Sequence, residues 1–215
     1  MNRMVSSAPV VRSRKRPSER RAEIVREAAA VALAEGLERI TLRAVAERLG
    51  VRPGLITHYF PVAEDLVIAA FVQAVADERD AMVPEHGAPL ERLARMVERV
   101  ESVESRDIAR LWLNARHLCR FTPALAAALV EQEALDRARL LELIEAGVST
   151  GEFTADPFDA CIRIFIAVDG YGAYVNDVGA FEHDAYTRFV TDAAEWALGL
   201  DRGRLRAAIA ELHPS

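Results

Sequence analysis

Thr41-Leu42-Arg43-Ala44-Val45-Ala46-Glu47-Arg48-Leu49-Gly50-Val51-Arg52-Pro53-Gly54-Leu55-Ile56-Thr57-His58-Tyr59-Phe60 is the stretch that decides how this chain folds. Leu42, Val45, Ala46 and Leu49 recur at i, i+3, i+4 and i+7, which is one face of a short helix. Thr41 stands where a helix wants an N-cap oxygen, and Gly50 where it wants a residue free to turn left-handed. Pro53 suits the first turn of a second helix, since the N–H it lacks has no partner there anyway. Ile56 and Phe60, four apart, give that helix one apolar side, and Pro61 ends it. Gly54, Leu55, Thr57, His58 and Tyr59 are left on its outside.

Working outward, a first helix follows Pro17, with Ser18 as its N-cap, Ile24, Ala28, Val31 and Ala32 on one face, and Gly36 as its stop. Downstream, apolar spacing predicts helices over about 64–82, 89–104, 106–121, 123–146, 157–176, 183–199 and 202–212, with Gly147 to Thr154 as a loop. The 157–176 segment is apolar on nearly every side, and so must be covered on all sides. No alternating strand pattern competes. The expectation is an all-α chain of about nine or ten helices. An N-terminal three-helix unit spans 17–61 and a helical bundle spans 62–215, preceded by a disordered basic arm over 1–16.

Two short helices joined by a tight glycine turn form a helix-turn-helix, whose second member enters the major groove of DNA. The groove is ~12 Å wide and admits a helix whose leading face is small or polar. Gly54 and Thr57 permit close approach, and Thr57 and His58 offer hydrogen bonds to base edges. Charge agrees. Residues 1–60 hold 12 Lys/Arg against 6 Asp/Glu, while the rest of the chain holds 15 against 27. A basic quarter on an acidic body places a polyanion at one end only.

The stretch Ile40 to Phe60 closely resembles the DNA-binding signature of the TetR family of transcriptional regulators, in helix lengths, in the Gly50-Val51 turn and in the terminal Tyr59-Phe60. The likeness runs over residues 20–67 and weakens beyond, although Asp169-Gly170 within an apolar helix also resembles the family's eighth helix. The resemblance implies that Arg43 reaches a base or phosphate, that Pro53, Gly54, Leu55, Thr57 and His58 face the groove, and that Tyr59 donates to a phosphate. With Thr41 and Arg52 these make up the expected DNA-binding set. The chain departs from the pattern in three places. Arg52 stands where a capping Ser or Thr is frequent, Thr57 where a Tyr is frequent, and Ala63 where a Lys commonly meets phosphate. Arg14-Lys15-Arg16 in the arm either offsets the last change from the minor groove or is a solvated tail.

The resemblance further implies a homodimer bound to double-stranded operator DNA and released by a small-molecule effector, as repressors of the family are. Independently, the helices near 157–176 and 183–199 carry more apolar surface than one small bundle hides, which a two-fold mate would cover. Trp112, Arg116 and Cys119 share a helix face, and with His117, Phe121, Phe165 and Asp169 they are the candidate ligand contacts. Asp169 needs a partner in such a helix, and an arginine across the dimer is the expected one. No cofactor or metal is expected, because the five histidines lack ligand spacing and no catalytic signature appears. Cys119 and Cys161 read as free thiols in a reducing compartment. No run of about 18 apolar residues signals a membrane span, so the expected location is cytoplasmic. Two rival readings are a helical protein–protein interaction module without DNA binding and, further off, an enzyme.

Overall fold

The computed structural model describes residues 16–176 and 183–213. The expected basic arm falls, but for Arg16, outside them. All regular structure among the described residues is helical. α1 (Pro17–Glu35) is followed by a 3₁₀ turn (Leu37–Arg39), α2 (Leu42–Leu49), α3 (Pro53–Tyr59), α4 (Ala63–Met82) and α5 (Pro89–Glu101). α6 (Arg106–Leu118), α7 (Pro123–Ser149), α8 (Pro157–Val175), α9 (Asp184–Thr187), α10 (Phe189–Leu198) and α11 (Arg204–Glu211) complete the chain. No single helix among the described residues is long and apolar enough to cross a membrane.

Three of these boundaries differ instructively from the sequence reading. α1 begins at Pro17 with Arg16 as its cap, not at Ser18. The Glu19 carboxylate accepts the Arg16 N–H at 2.9 Å, so proline at the first helical position, closed by an acidic residue, wins over serine. The predicted loop at Gly147 is helix as far as Ser149. This glycine does not stop α7. A β-carbon there would sit 2.1 Å from the buried ring of Phe153, and the Gly147 carbonyl accepts the N–H groups of Glu152 and Phe153. The predicted 183–199 helix is broken at Arg188 into α9 and α10, which makes eleven α-helices among the described residues. The Glu101 carboxylate, on α5, accepts the Thr191 N–H at 3.0 Å and the Thr191 hydroxyl at 2.8 Å, and so caps α10 from outside the segment.

Two cores form. The first joins α1, α2 and α3 to the first half of α4, to Ile108, Leu111 and Ala115 of α6, and to Leu125 and Leu129 of α7. The second lies among α5, the later part of α7, α8, α10 and α11. The first therefore extends past Phe60. Leu66, Ala70 and Phe71 of α4 are buried together with Ile24, Val45 and Ile56. Burying a side chain of this size contributes about 1.5–3 kcal/mol, which compensates for the small intrinsic stability of helices as short as α2 and α3.

Candidate functional site

α2 and α3 are fixed locally before they pack. The Thr41 hydroxyl oxygen accepts the Ala44 N–H at 3.0 Å and closes the first turn of α2. Gly50 adopts φ +63°, the left-handed conformation that ends α2 and aims the chain into α3. The Val51 N–H donates back to the Ala46 carbonyl at 3.0 Å, which sets the angle of the turn. Pro53 opens α3. Ile56 and Phe60 are buried, at 0% and 1% exposure, and pin α3 to the first core from beneath.

The opposite side of α3 is bare. Arg52, Pro53, Gly54, Thr57 and His58 are exposed, and Leu55 and Tyr59 are half-buried. No protein atom lies within 4 Å of where a Gly54 β-carbon would be, so packing does not demand glycine there. The Thr57 hydroxyl donates to the Pro53 carbonyl at 3.3 Å, which leaves its oxygen outward as an acceptor. His58 and Tyr59 meet edge to face, 5.2 Å between ring centres. Thr41 and Arg43 are exposed as well, and Arg43 is held by Glu47 at 2.8 Å across one helical turn. Arg48 instead ties α2 back to α1, at 2.5 Å from Glu35 and 3.5 Å from Glu27. The sequence reading passed over Arg21, whose guanidinium lies over the Phe60 ring at 4.7 Å, an exposed cation beside the end of α3.

A cavity of about 150 Å³ lies among α4, α5, α6, α7 and α8, walled by apolar side chains such as Val75, Met96, Ile108 and Val168. Of the seven predicted ligand contacts it takes four: Trp112, Arg116, Phe165 and Asp169. His117, Cys119 and Phe121 do not line it. His117 and Phe121 are exposed, with their rings 5.9 Å apart, and Cys119 is half-buried against the first core. Helical rotation accounts for this: α6 turns Trp112 and Arg116 inward and His117 outward, and α6 ends at Leu118, before Cys119 and Phe121.

Asp169 finds its partner within the same chain. Arg116 lies 2.8 Å from Asp169 and 2.8 Å from Glu133 of α7. Burial pushes the Asp169 carboxyl above its ordinary range, against the pull of Arg116. Asp136 behaves alike, raised by burial and opposed by its partner Arg79.

α6 also reaches the first core. Arg110 donates to the Leu33 carbonyl at 3.0 Å, and Asn114 binds Leu37 and Glu38 in the turn after α1. One helix thus touches both the cavity and the frame that carries α3.

Residues 24–70 match the family of bacterial regulatory proteins known as the tetR family. No curated protein matches the chain in sequence. Among solved structures, a regulator from Saccharomonospora viridis in complex with choline is similar at 22% identity, over 83% of this chain and 96% of that one, with a TM-score of 0.68. A TetR transcription regulator from Haloarcula marismortui is similar at 17% identity, over 85% and 97%, with a TM-score of 0.67. The fatty acid degradation regulator of Bacillus halodurans is similar at 22% identity, over 88% and 99%, with a TM-score of 0.63. At such identities the likeness is one of fold.

Proposed function

We propose, for a chain whose residues 24–70 match the tetR family of bacterial regulatory proteins and whose fold is similar to that of solved regulators, that it is a sequence-specific repressor released from its operator by a small molecule. The observation that carries the reading is α3 itself. Its inner side is sealed by Ile56 and Phe60, and its outer side is left to Pro53, Gly54, Thr57 and His58. That is the shape of a probe for the major groove. Leu55 and Tyr59 flank it, and Thr41, Arg43 and Arg52 supply the neighbouring phosphate or base contacts. Residues 17–61 act as the reading head and 62–215 as the body that pairs and responds.

Pairing is through α8 and α10. Phe158 and Ile166 on α8, and Phe189 and Trp196 on α10, are exposed large apolar side chains on helices packed against each other. A second copy related by a two-fold axis covers them. Two α3 helices then read half-sites ~34–36 Å apart. The cavity beside Trp112 is the effector site, and α6 carries its state to the reading head through Asn114 and Arg110.

A gel-shift titration against the DNA flanking the gene tests this. The expected result is specific retardation that weakens steeply with salt, as counterion release requires. Retardation that is equal on all sequences would overturn the claim of sequence specificity, and none at all would overturn the reading in favour of a helical interaction module.

A further inference from the structure

The cavity wall contains six charged side chains: Glu78, Arg79, Arg116, Asp136, Arg139 and Asp169. Each already has an opposite charge. Arg99 holds Glu78 through two bonds of 2.7 and 2.8 Å. Arg79 holds Asp136, and Arg139 lies 3.2 Å from Asp80. Arg116 spans Asp169 and Glu133. The hydroxyl groups are spent too, Ser105 donating to the Arg99 carbonyl and Tyr171 to the Glu101 carbonyl.

A charged guest would enter this apolar space with no counter-charge waiting, at a large desolvation cost. Burial disfavours the charged forms of the wall carboxylates Asp136 and Asp169, and the same desolvation would penalise a further buried anion. One buried side-chain nitrogen of a wall residue has no partner. Among the described residues, no acceptor reaches Arg116 Nε, which is buried. An unmet buried donor is costly and favours an incoming acceptor. Trp112 and Phe165 add aromatic side chains to the wall, which suit a flat guest. A cavity of this volume is known elsewhere to admit benzene.

We infer that the cavity binds an uncharged, compact, largely apolar molecule bearing one hydrogen-bond-accepting oxygen, which takes the Arg116 Nε–H while its apolar part packs on Trp112 and Phe165. The inference rests on the effector reading only for its consequence at the operator. Binding itself stands apart from it.

Calorimetry on the full chain with four matched probes tests the assignment: acetophenone, ethylbenzene, benzoate and phenyltrimethylammonium. Acetophenone is expected to bind about tenfold or more tighter than each of the others, the margin of one hydrogen bond to a charged donor. Arg116→Lys keeps a cation beside Asp169 but loses the Nε–H, and should erase the advantage of acetophenone over ethylbenzene. Val168→Phe, which adds volume inside the cavity, should remove acetophenone binding even if Arg116→Lys folds poorly. Preference for benzoate or the ammonium probe, parity of acetophenone with ethylbenzene, or no binding at all would overturn the inference. Gel shifts on the same preparation separate the two readings. Protein that shifts operator DNA yet ignores acetophenone sinks the ligand class and leaves the regulator standing. Protein that takes acetophenone and ignores DNA does the reverse.

Discussion

Asn114 Oδ1, on α6, accepts the backbone N–H of Leu37 at 2.8 Å, in the turn that joins α1 to α2. Its amide nitrogen donates to Glu38 at 2.8 Å, so both ends of one side chain are engaged across the junction. Leu37 is 1% exposed, and its N–H has no water to fall back on. Asn114→Ala is therefore expected to cost about 1–3 kcal/mol, read as a lower urea midpoint at unchanged slope. The same change should blunt the loss of operator affinity on adding a cavity ligand, since it cuts a link between α6 and the head.

Thr57 and Tyr59 are expected to act differently on DNA. Thr57 is exposed with its oxygen outward, and Thr57→Ala should narrow the gap between operator and mismatched sites by about 1–3 kcal/mol. Tyr59→Phe removes the hydroxyl proposed to meet a phosphate and should weaken all sequences alike. Titrating both variants against the operator and a one-base mismatch distinguishes the roles. Equal behaviour of the two would contradict them.

Trp196 is 68% exposed and Ile166 64%, and the Arg163 guanidinium lies 4.6 Å from the Trp196 ring. Placing a charge on the α8–α10 face should split the proposed dimer. Ile166→Glu and Trp196→Glu are each expected to sediment as monomers at concentrations where the parent chain is dimeric. Operator affinity should fall with them, because a single head forfeits the second half-site.

Glu101 gives a pH dependence of defined sign. Burial raises its carboxyl above the ordinary range, against the opposing bonds from Thr191. The native state then holds the proton more tightly than the unfolded chain. Stability from this source is fully present below the ordinary Glu titration, about pH 4.3, and is lost as pH rises through the elevated native value. Glu101→Gln should flatten that slope. Melting temperatures measured across mildly acidic pH for parent and variant check it, and parallel curves would refute it.

The reading head was legible because its signals are local. Thr41, Gly50 and Pro53 each act within four residues of themselves, and the i, i+4 pair Ile56 and Phe60 is enough to say which side of α3 goes under. The body was legible only where a helix carries its own pattern. The break at Arg188 comes from Glu101, far away in the chain, and Gly147 reads as a breaker until the Phe153 ring is seen against it. Arg116 and Asp169 were each singled out, but their pairing is tertiary, and sequence spacing gave no reason to prefer it over a mate on another subunit. The cavity followed the same rule. Helix periodicity put Trp112 and Arg116 on one face, while it could not tell that α6 stops before Cys119 and Phe121.

The sharing of α4 between the head and the rest of the first core makes the head poorly portable. A chimaera joined directly after Phe60 would uncover Ile24, Val45 and Ile56, whose neighbours Leu66, Ala70 and Phe71 lie beyond the seam. Moving the proposed reading head onto another body therefore calls for a junction past Val75, where α4 has finished contributing to that core, and for a replacement of the α6 surface that cradles Leu37.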